Sequence, residues 1–292
     1  MRRPYLVLSA LFPALLLAGC GGTLNLPAAD TAPAASAAGT SAPPQPAPPA
    51  PWQRVVVIGA SASAGFGTGM ELGEDVPLAA LLEPMLRLEH EPARSYASAM
   101  FFLDPTLYGG NQVADALEAE PTLVLALDFL FWYVYGLKPD EATRLRDLEQ
   151  GLALLDEFSC PVLVSLIPDM SPAVGKMLLE GQVPKAETFP KVNQRIREWA
   201  AQRRNAVLVP MNELVDEVRS GRPVRVGASQ WPQDASARMI QADDLHPTVE
   251  GLAALAATAL QTLARDLAGV PLDAFTLDPL QAAEQVRAER LR

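Results

Sequence analysis

The sequence predicts a three-layer α/β/α domain on a five-stranded parallel sheet. Three observations carry that prediction. Short apolar, β-branched runs recur along the chain, and helix-length amphipathic segments separate them. The globular stretch, residues 52–270, runs to about 220 residues, enough to cover both faces of such a sheet as one domain.

Residues 54–58 form a continuous β-branched run closed by Gly59, the pattern of a parallel strand buried on both faces. A second short strand is predicted at residues 94–97. The third, 122–127, follows a helix-like segment at 112–118. The fourth, 161–167, follows a long helical pattern over 140–158. The fifth, 206–210, follows a helix over 190–203. The domain's last helix covers 248–268, and the tail 271–292 holds an amphipathic pattern over 280–291 that either packs on the domain or frays. Right-handed crossovers between such strands favour the flavodoxin-like order 2-1-3-4-5, whose ligands sit beyond the carboxyl ends of the strands. Functional residues are therefore expected just after Ile58, Leu127, Ile167 and Pro210, and just before the last helix.

The first 51 residues have a different character. Arg2 and Arg3 precede an apolar stretch too short to span a bilayer, which needs about 20 apolar residues. Leu17-Ala18-Gly19-Cys20 resembles the lipobox of bacterial lipoproteins. The resemblance implies a signal peptide at 1–19, cleavage before Cys20, and a lipid anchor on that cysteine. Gly21 follows where an inner-membrane retention signal carries Asp, which implies an outer membrane, facing the periplasm or the cell surface. Residues 20–51 are rich in Pro, Ala, Ser and Thr and hold no hydrophobic period, so they read as a tether.

Composition excludes several classes. The formal charge is −11, and removing 1–19 with its two arginines takes it to −13, which argues against a nucleic-acid partner. With Cys20 lipidated, Cys160 is the second of two cysteines and has no partner for a disulfide; it reads as a small buried hydrophobe. No Cys/His spacing suggests a metal site, and no cofactor is implied. A Gly-rich turn follows the first strand, but Gly59, Gly65 and Gly67 do not have the dinucleotide spacing.

Two segments fall where the topology expects chemistry. Gly59-Ala60-Ser61-Ala62-Ser63-Ala64-Gly65 follows the first strand, and Asp243-Asp244-Leu245-His246-Pro247 precedes the last helix. A serine on a turn after a buried strand exposes its hydroxyl at the sheet edge. A histidine in reach takes its proton, and an acid fixes the imidazole tautomer. Of the two histidines, His90 lies among Glu89, Glu91 and Pro92 and reads as a solvated loop residue, which leaves His246. Ser63 is a rival nucleophile, because residues 61–65 imitate a Gly-x-Ser-x-Gly elbow.

This arrangement resembles the SGNH, or GDSL, hydrolases, which carry Gly-Asp-Ser after strand one and Asp-x-x-His before the final helix. The resemblance spans residues 52–268 and implies the SGNH hydrolase fold with a catalytic Ser61, His246 and Asp243. It also implies oxyanion donors: the Ser61 amide and a glycine amide after strand two. Gly110 is the residue it points to, although Gly109-Gly110-Asn111 equally reads as a turn and helix cap.

The sequence departs from the family at two places. Ala60 replaces the aspartate that braces the nucleophile turn. Asp128 stands after strand three, where the family has an asparagine that donates to the oxyanion, a donor worth about 3–4 kcal/mol. Either another group such as Asn111 donates, or Asp128 has a different role, as a protonated donor or a structural acid. The aromatic cluster Phe129, Phe131, Trp132, Tyr133 and Tyr135 lines a substrate pocket, packs a core, or forms a membrane-facing lip. The expected activity is ester hydrolysis through an acyl-enzyme, on envelope polysaccharide acetate, lipid or small acyl esters. The alternative is an SGNH-like domain that has lost catalysis and binds an envelope partner.

Overall fold

A computed structural model describes residues 50–291. The signal peptide, Cys20 and residues 21–49 lie outside the described residues.

Each strand of the central sheet forms where the sequence concentrates β-branched and aliphatic side chains. The strands are β1 (Val55–Val57), β2 (Arg94–Ser95), β3 (Leu123–Ala126), β4 (Val162–Ser165) and β5 (Ala206–Val209). All pair in parallel, in the order β2-β1-β3-β4-β5, as the sequence predicts. Every residue of β1, β3 and β4 is buried, which explains why those strands read as unbroken apolar runs.

Successive strand residues feed two separate cores, as the two-residue strand period requires. Val55, Val57, Leu123, Leu125, Val207 and Val209 pack on one face. There they meet α1 (Gly69–Leu72), α2 (Leu78–Leu82), α7 (Met211–Arg219), α8 (Ala235–Met239), α9 (Val249–Asp266) and α10 (Pro279–Arg290). Val56, Ile58, Val124, Ala126, Val162 and Val164 pack on the other. That face is covered by α3 (Pro105–Glu118), α4 (Phe131–Val134), α5 (Glu141–Leu155) and α6 (Thr188–Ala201). The result is the expected three-layer α/β/α fold.

Capping sets several helix starts. Asp140 accepts from Thr143 N at 2.7 Å, and Thr248 from Gly251 N at 3.2 Å, so α5 and α9 begin where the sequence places them. Asp104 likewise accepts from Leu107 N at 3.0 Å, and Pro105 occupies the first turn. This starts α3 seven residues before the predicted 112 and places Gly109, Gly110 and Asn111 inside the helix. Gly109 belongs there because a Cβ would lie 2.3 Å from the Tyr133 hydroxyl, so its absence lets α3 approach α4.

The tail helix packs rather than frays: Ala282, Ala283 and Val286 are buried, and Arg287 pairs with Glu71 and Glu250. An antiparallel hairpin of β6 (Val224–Val226) and β7 (Ser229–Trp231) is an addition the sequence analysis did not foresee. Its Trp231 is wholly buried and donates to Glu250 Oε2 at 2.7 Å. Cys160 is partly rather than fully buried, and burial pushes its thiol up to about 11. Among the described residues, no helix is long and apolar enough to cross a membrane.

Candidate active site

Ser61 sits on the turn that leaves β1, at the carboxyl edge of the sheet. His246 comes from the loop that enters α9. That loop closes on itself: Gln241 N donates to His246 O at 2.8 Å, Thr248 N donates to Met239 O at 3.0 Å, and Ile240 bridges Pro247. The closure brings residues 185 positions apart within hydrogen-bond reach. His246 Nε2 lies 2.9 Å from Ser61 Oγ, and His246 Nδ1 lies 2.6 Å from Asp243 Oδ2. The imidazole is 3% exposed, so water does not compete for either contact.

Asp243 is fixed as firmly as the histidine it faces. Its Oδ1 accepts from Leu245 N at 2.9 Å and His246 N at 3.0 Å. Burial pushes its carboxyl up, but the His246 side chain and these two backbone donors outweigh burial and hold it below the usual value. The intervening Asp244 adopts left-handed backbone (φ +59°), a conformation that Asp tolerates better than most residues. Two cations pin this turn from outside. Arg219 donates to Asp244 O at 2.7 Å and to Asp169 O at 2.7 Å. Lys176 donates to Ala242 O at 2.9 Å and pairs with the Asp244 carboxylate.

The nucleophile turn has its own brace, and that brace is Asp128. Its Oδ1 accepts from Ala60 N at 3.0 Å and from Ser63 Oγ at 2.5 Å. Its Oδ2 accepts from Ala62 N at 2.9 Å and Ser63 N at 3.1 Å. All four partners donate, so the buried carboxylate acts as an acceptor that ties β3 to the turn on either side of Ser61. Both oxygens of Asp128 are thus engaged by the turn around Ser61, the placement of a structural acid. The Ser63 hydroxyl is 1% exposed and meets Asp128, whereas Ser61 is the serine placed against His246.

A close approach makes the brace possible. Gly59 has φ +151°, and a Cβ there would lie 2.1 Å from Asp128 Oδ1. Gln112 locks the same glycine from the other side, accepting from Gly59 N at 2.8 Å and donating to Gly59 O at 2.9 Å. Sequence analysis missed Gln112. The signal was present, since it is the polar member of the buried α3 stripe Gly109, Gln112, Val113 and Ala116.

The expected accessory donors are not where the resemblance puts them. Gly110 and Asn111 lie inside α3, where backbone N–H groups serve the helix's own i to i−4 bonds, and Asn111 is exposed. Neither lines the cavity that meets Ser61. By contrast, among the described residues no acceptor engages the Ser61 backbone N–H.

That cavity is about 90 Å³ and almost wholly apolar. Ala60, Ser61, Asp128 and His246 form one end, and Phe131, Trp132, α7, Met239 and α9 supply the walls. The aromatic cluster is therefore divided. Phe131 and Trp132 face the cavity, whereas Phe129, Tyr133 and Tyr135 are buried in the core. Phe66 packs on the His246 ring, centroids 4.7 Å apart. Gln241 Nε2 donates to Phe66 O and Pro247 O, each at 2.8 Å, and so clips the serine-side loop to the histidine loop. His90 lies apart from this site, held by Leu88 O at 2.7 Å and Glu83 Oε2 at 3.2 Å. Among the described residues, no group of three or more His, Cys, Asp or Glu side chains is placed to hold a metal ion.

Fold and site together define a hydrogen-bonded Ser–His–Asp chain at the carboxyl edge of a parallel α/β sheet. No family model matches the sequence, and no curated protein matches it. Solved structures of similar shape include TesA, 21% identical with a TM-score of 0.47, over 74% of this chain and 100% of that one. Another is the lipase/acylhydrolase from Enterococcus faecalis, 16% identical with a TM-score of 0.48, over 77% and 98%. A third is a gut microbial diltiazem-metabolizing enzyme, 15% identical with a TM-score of 0.45, over 72% and 46%.

Proposed function

We propose that this protein is a serine hydrolase of the SGNH kind that cleaves carboxylic esters through an acyl-enzyme, tethered by lipid on Cys20 to a bacterial envelope membrane. The observation that carries the hydrolase reading is the 2.9 Å contact between Ser61 Oγ and His246 Nε2, backed by the 2.6 Å contact between His246 Nδ1 and Asp243.

In this reading Ser61 Oγ bonds to the ester carbonyl carbon as its proton passes to His246 Nε2. Asp243 holds Nδ1–H and stabilises the imidazolium. The oxyanion is met by the Ser61 backbone N–H. The carbon–oxygen bond to the alcohol breaks, and the alcohol leaves with the proton from His246. Water then adds to the acyl-serine, giving its proton to His246, and the acid departs as Ser61 Oγ recovers that proton.

The second reading, an SGNH-like domain that binds an envelope partner without catalysis, draws on one observation: Asp128 stands where an amide donor is expected and faces the turn as an acceptor.

A fluorophosphonate probe on the full-length protein separates the two. The hydrolase predicts covalent label on Ser61, mapped by mass spectrometry, and its loss in Ser61→Ala and His246→Ala but not in Ser63→Ala variants that fold. Absence of label on folded wild-type protein sinks the hydrolase and leaves the binding domain.

A further inference from the structure

We infer that the apolar cavity beside Ser61 receives the acyl limb of the ester, so that the substrates are esters of aliphatic carboxylic acids longer than acetate, with α7 setting how well each chain is held. This rests on the hydrolase reading.

The wall chemistry comes first. Met211, Leu214, Val215 and Val218 all line the cavity. Their spacing of three and four residues makes them one stripe of α7. Met239 and Leu255 line the same cavity. Apart from Ser61, Asp128 and His246, every side chain on the wall is hydrocarbon, aromatic, thioether or glycine. A sugar ring placed there would strand its hydroxyls without partners, at about 1–3 kcal/mol for each buried polar group. A methylene chain strands nothing and gains about fourfold in binding for each CH₂ removed from water.

The order of product release then selects the limb. The alcohol leaves first, and water must take its place beside His246 before the second step. An alcohol limb lodged in the cavity would have to be cleared from it before water could take its place. An acyl limb lodged there stays attached while the open side of the site exchanges alcohol for water. The apolar cavity therefore suits the group that remains through both steps.

The test uses the full-length protein and p-nitrophenyl esters of acetate, butyrate, hexanoate and octanoate, beside ethyl acetate and hexyl acetate. The expected result is a rise in kcat/KM of about fourfold per methylene until the cavity fills, with hexyl acetate no better than ethyl acetate. Val215→Phe and Leu214→Phe, both on half-buried wall positions, should each lower the octanoate-to-acetate ratio at least tenfold. A flat acyl series with active acetate overturns the proposal and leaves the hydrolase intact. So does a gain on lengthening the alcohol instead. A readout without turnover covers the case of an inactive enzyme: octanoate should raise the Tm of Ser61→Ala, and less so when Val215→Phe is added. If octanoate raises the Tm of neither, the cavity holds no acyl chain and the proposal fails.

Discussion

Replacing Asp128 by asparagine tests the site's least expected feature, because the resemblance and the structure predict opposite outcomes. Under the resemblance, asparagine restores an oxyanion donor and raises kcat, by as much as about 10²–10³-fold. In the structure each carboxylate oxygen accepts two donors, Ala60 N and Ser63 Oγ on one side, Ala62 N and Ser63 N on the other. An amide can satisfy only one side. With its NH₂ toward Oδ2's place, two backbone N–H groups lose their acceptor. With its NH₂ toward Oδ1's place, the Ser63 hydroxyl turns to accept and only Ala60 N is orphaned, so that orientation wins. One buried unsatisfied donor costs about 1–3 kcal/mol, and the surviving bonds lose their charge-assisted part.

The net expectation is a destabilisation of about 2–4 kcal/mol, or on the order of 4–16 °C in Tm for a domain of this size. Activity should fall as well, since displacing a nucleophile by about 1 Å costs on the order of 10²-fold. Thermal unfolding and kcat measured on the same preparation decide it. A variant with unchanged Tm and raised kcat would refute the brace and show Asp128 to be a misplaced donor position.

Two further outcomes follow from other residues. Asp243 is held below the usual carboxylate value, so it contributes stability that is complete above its unfolded pKa of about 3.9 and is lost as pH falls through the lower folded value. Unfolding free energy measured between pH 5 and 2 should therefore drop less steeply in Asp243→Asn than in wild type, while kcat at neutral pH falls roughly 10⁴-fold from the wrong imidazole tautomer; equal slopes would remove Asp243 from the acid response. Cys20→Ser should abolish palmitate incorporation in a bacterial host and move the protein from the membrane fraction to the soluble one, and palmitate that persists in the variant would contradict the lipobox.

What the sequence made legible, and what it hid, divides by the distance over which each feature is written. The strands could be read because a buried parallel strand announces itself within five or six residues, as 54–58 and 122–127 do. The Asp243–His246 pair could be read because both members sit in one turn before a capped helix. Asp128 could not be given one role, nor Gln112 any, because their partners lie 65–68 and 53 residues away and nothing local marks the pairing. The start of α3 was missed for a different reason. The pair Gly109-Gly110 has a turn's propensity, but the Asp104 cap, Pro105 and packing against α4 override it. The hairpin β6–β7 alternates plainly (Val224, Arg225, Val226), yet three-residue strands are too short to stand out.

The two places where the sequence differs from the motifs it resembles meet at one set of contacts. Ala60 carries no carboxylate to brace the turn from within, and Asp128 supplies one to the same turn from just beyond β3, taking the Ala60 N–H itself as one of its donors. That placement explains why Gly59 must be bare, since Asp128 fills the space a side chain would use. It also sets a chemical limit on the proposed hydrolase. With Asp128 accepting rather than donating, the burden of the oxyanion shifts to the Ser61 amide. Losing one preorganised donor costs about 3–4 kcal/mol of barrier. Burial of an aliphatic chain recovers such a loss at about 0.8 kcal/mol per methylene only if the chain is held more firmly in the transition state than in the ground state. If the proposed hydrolase recovers its rate in this way, lengthening the acyl chain should raise kcat together with lowering KM.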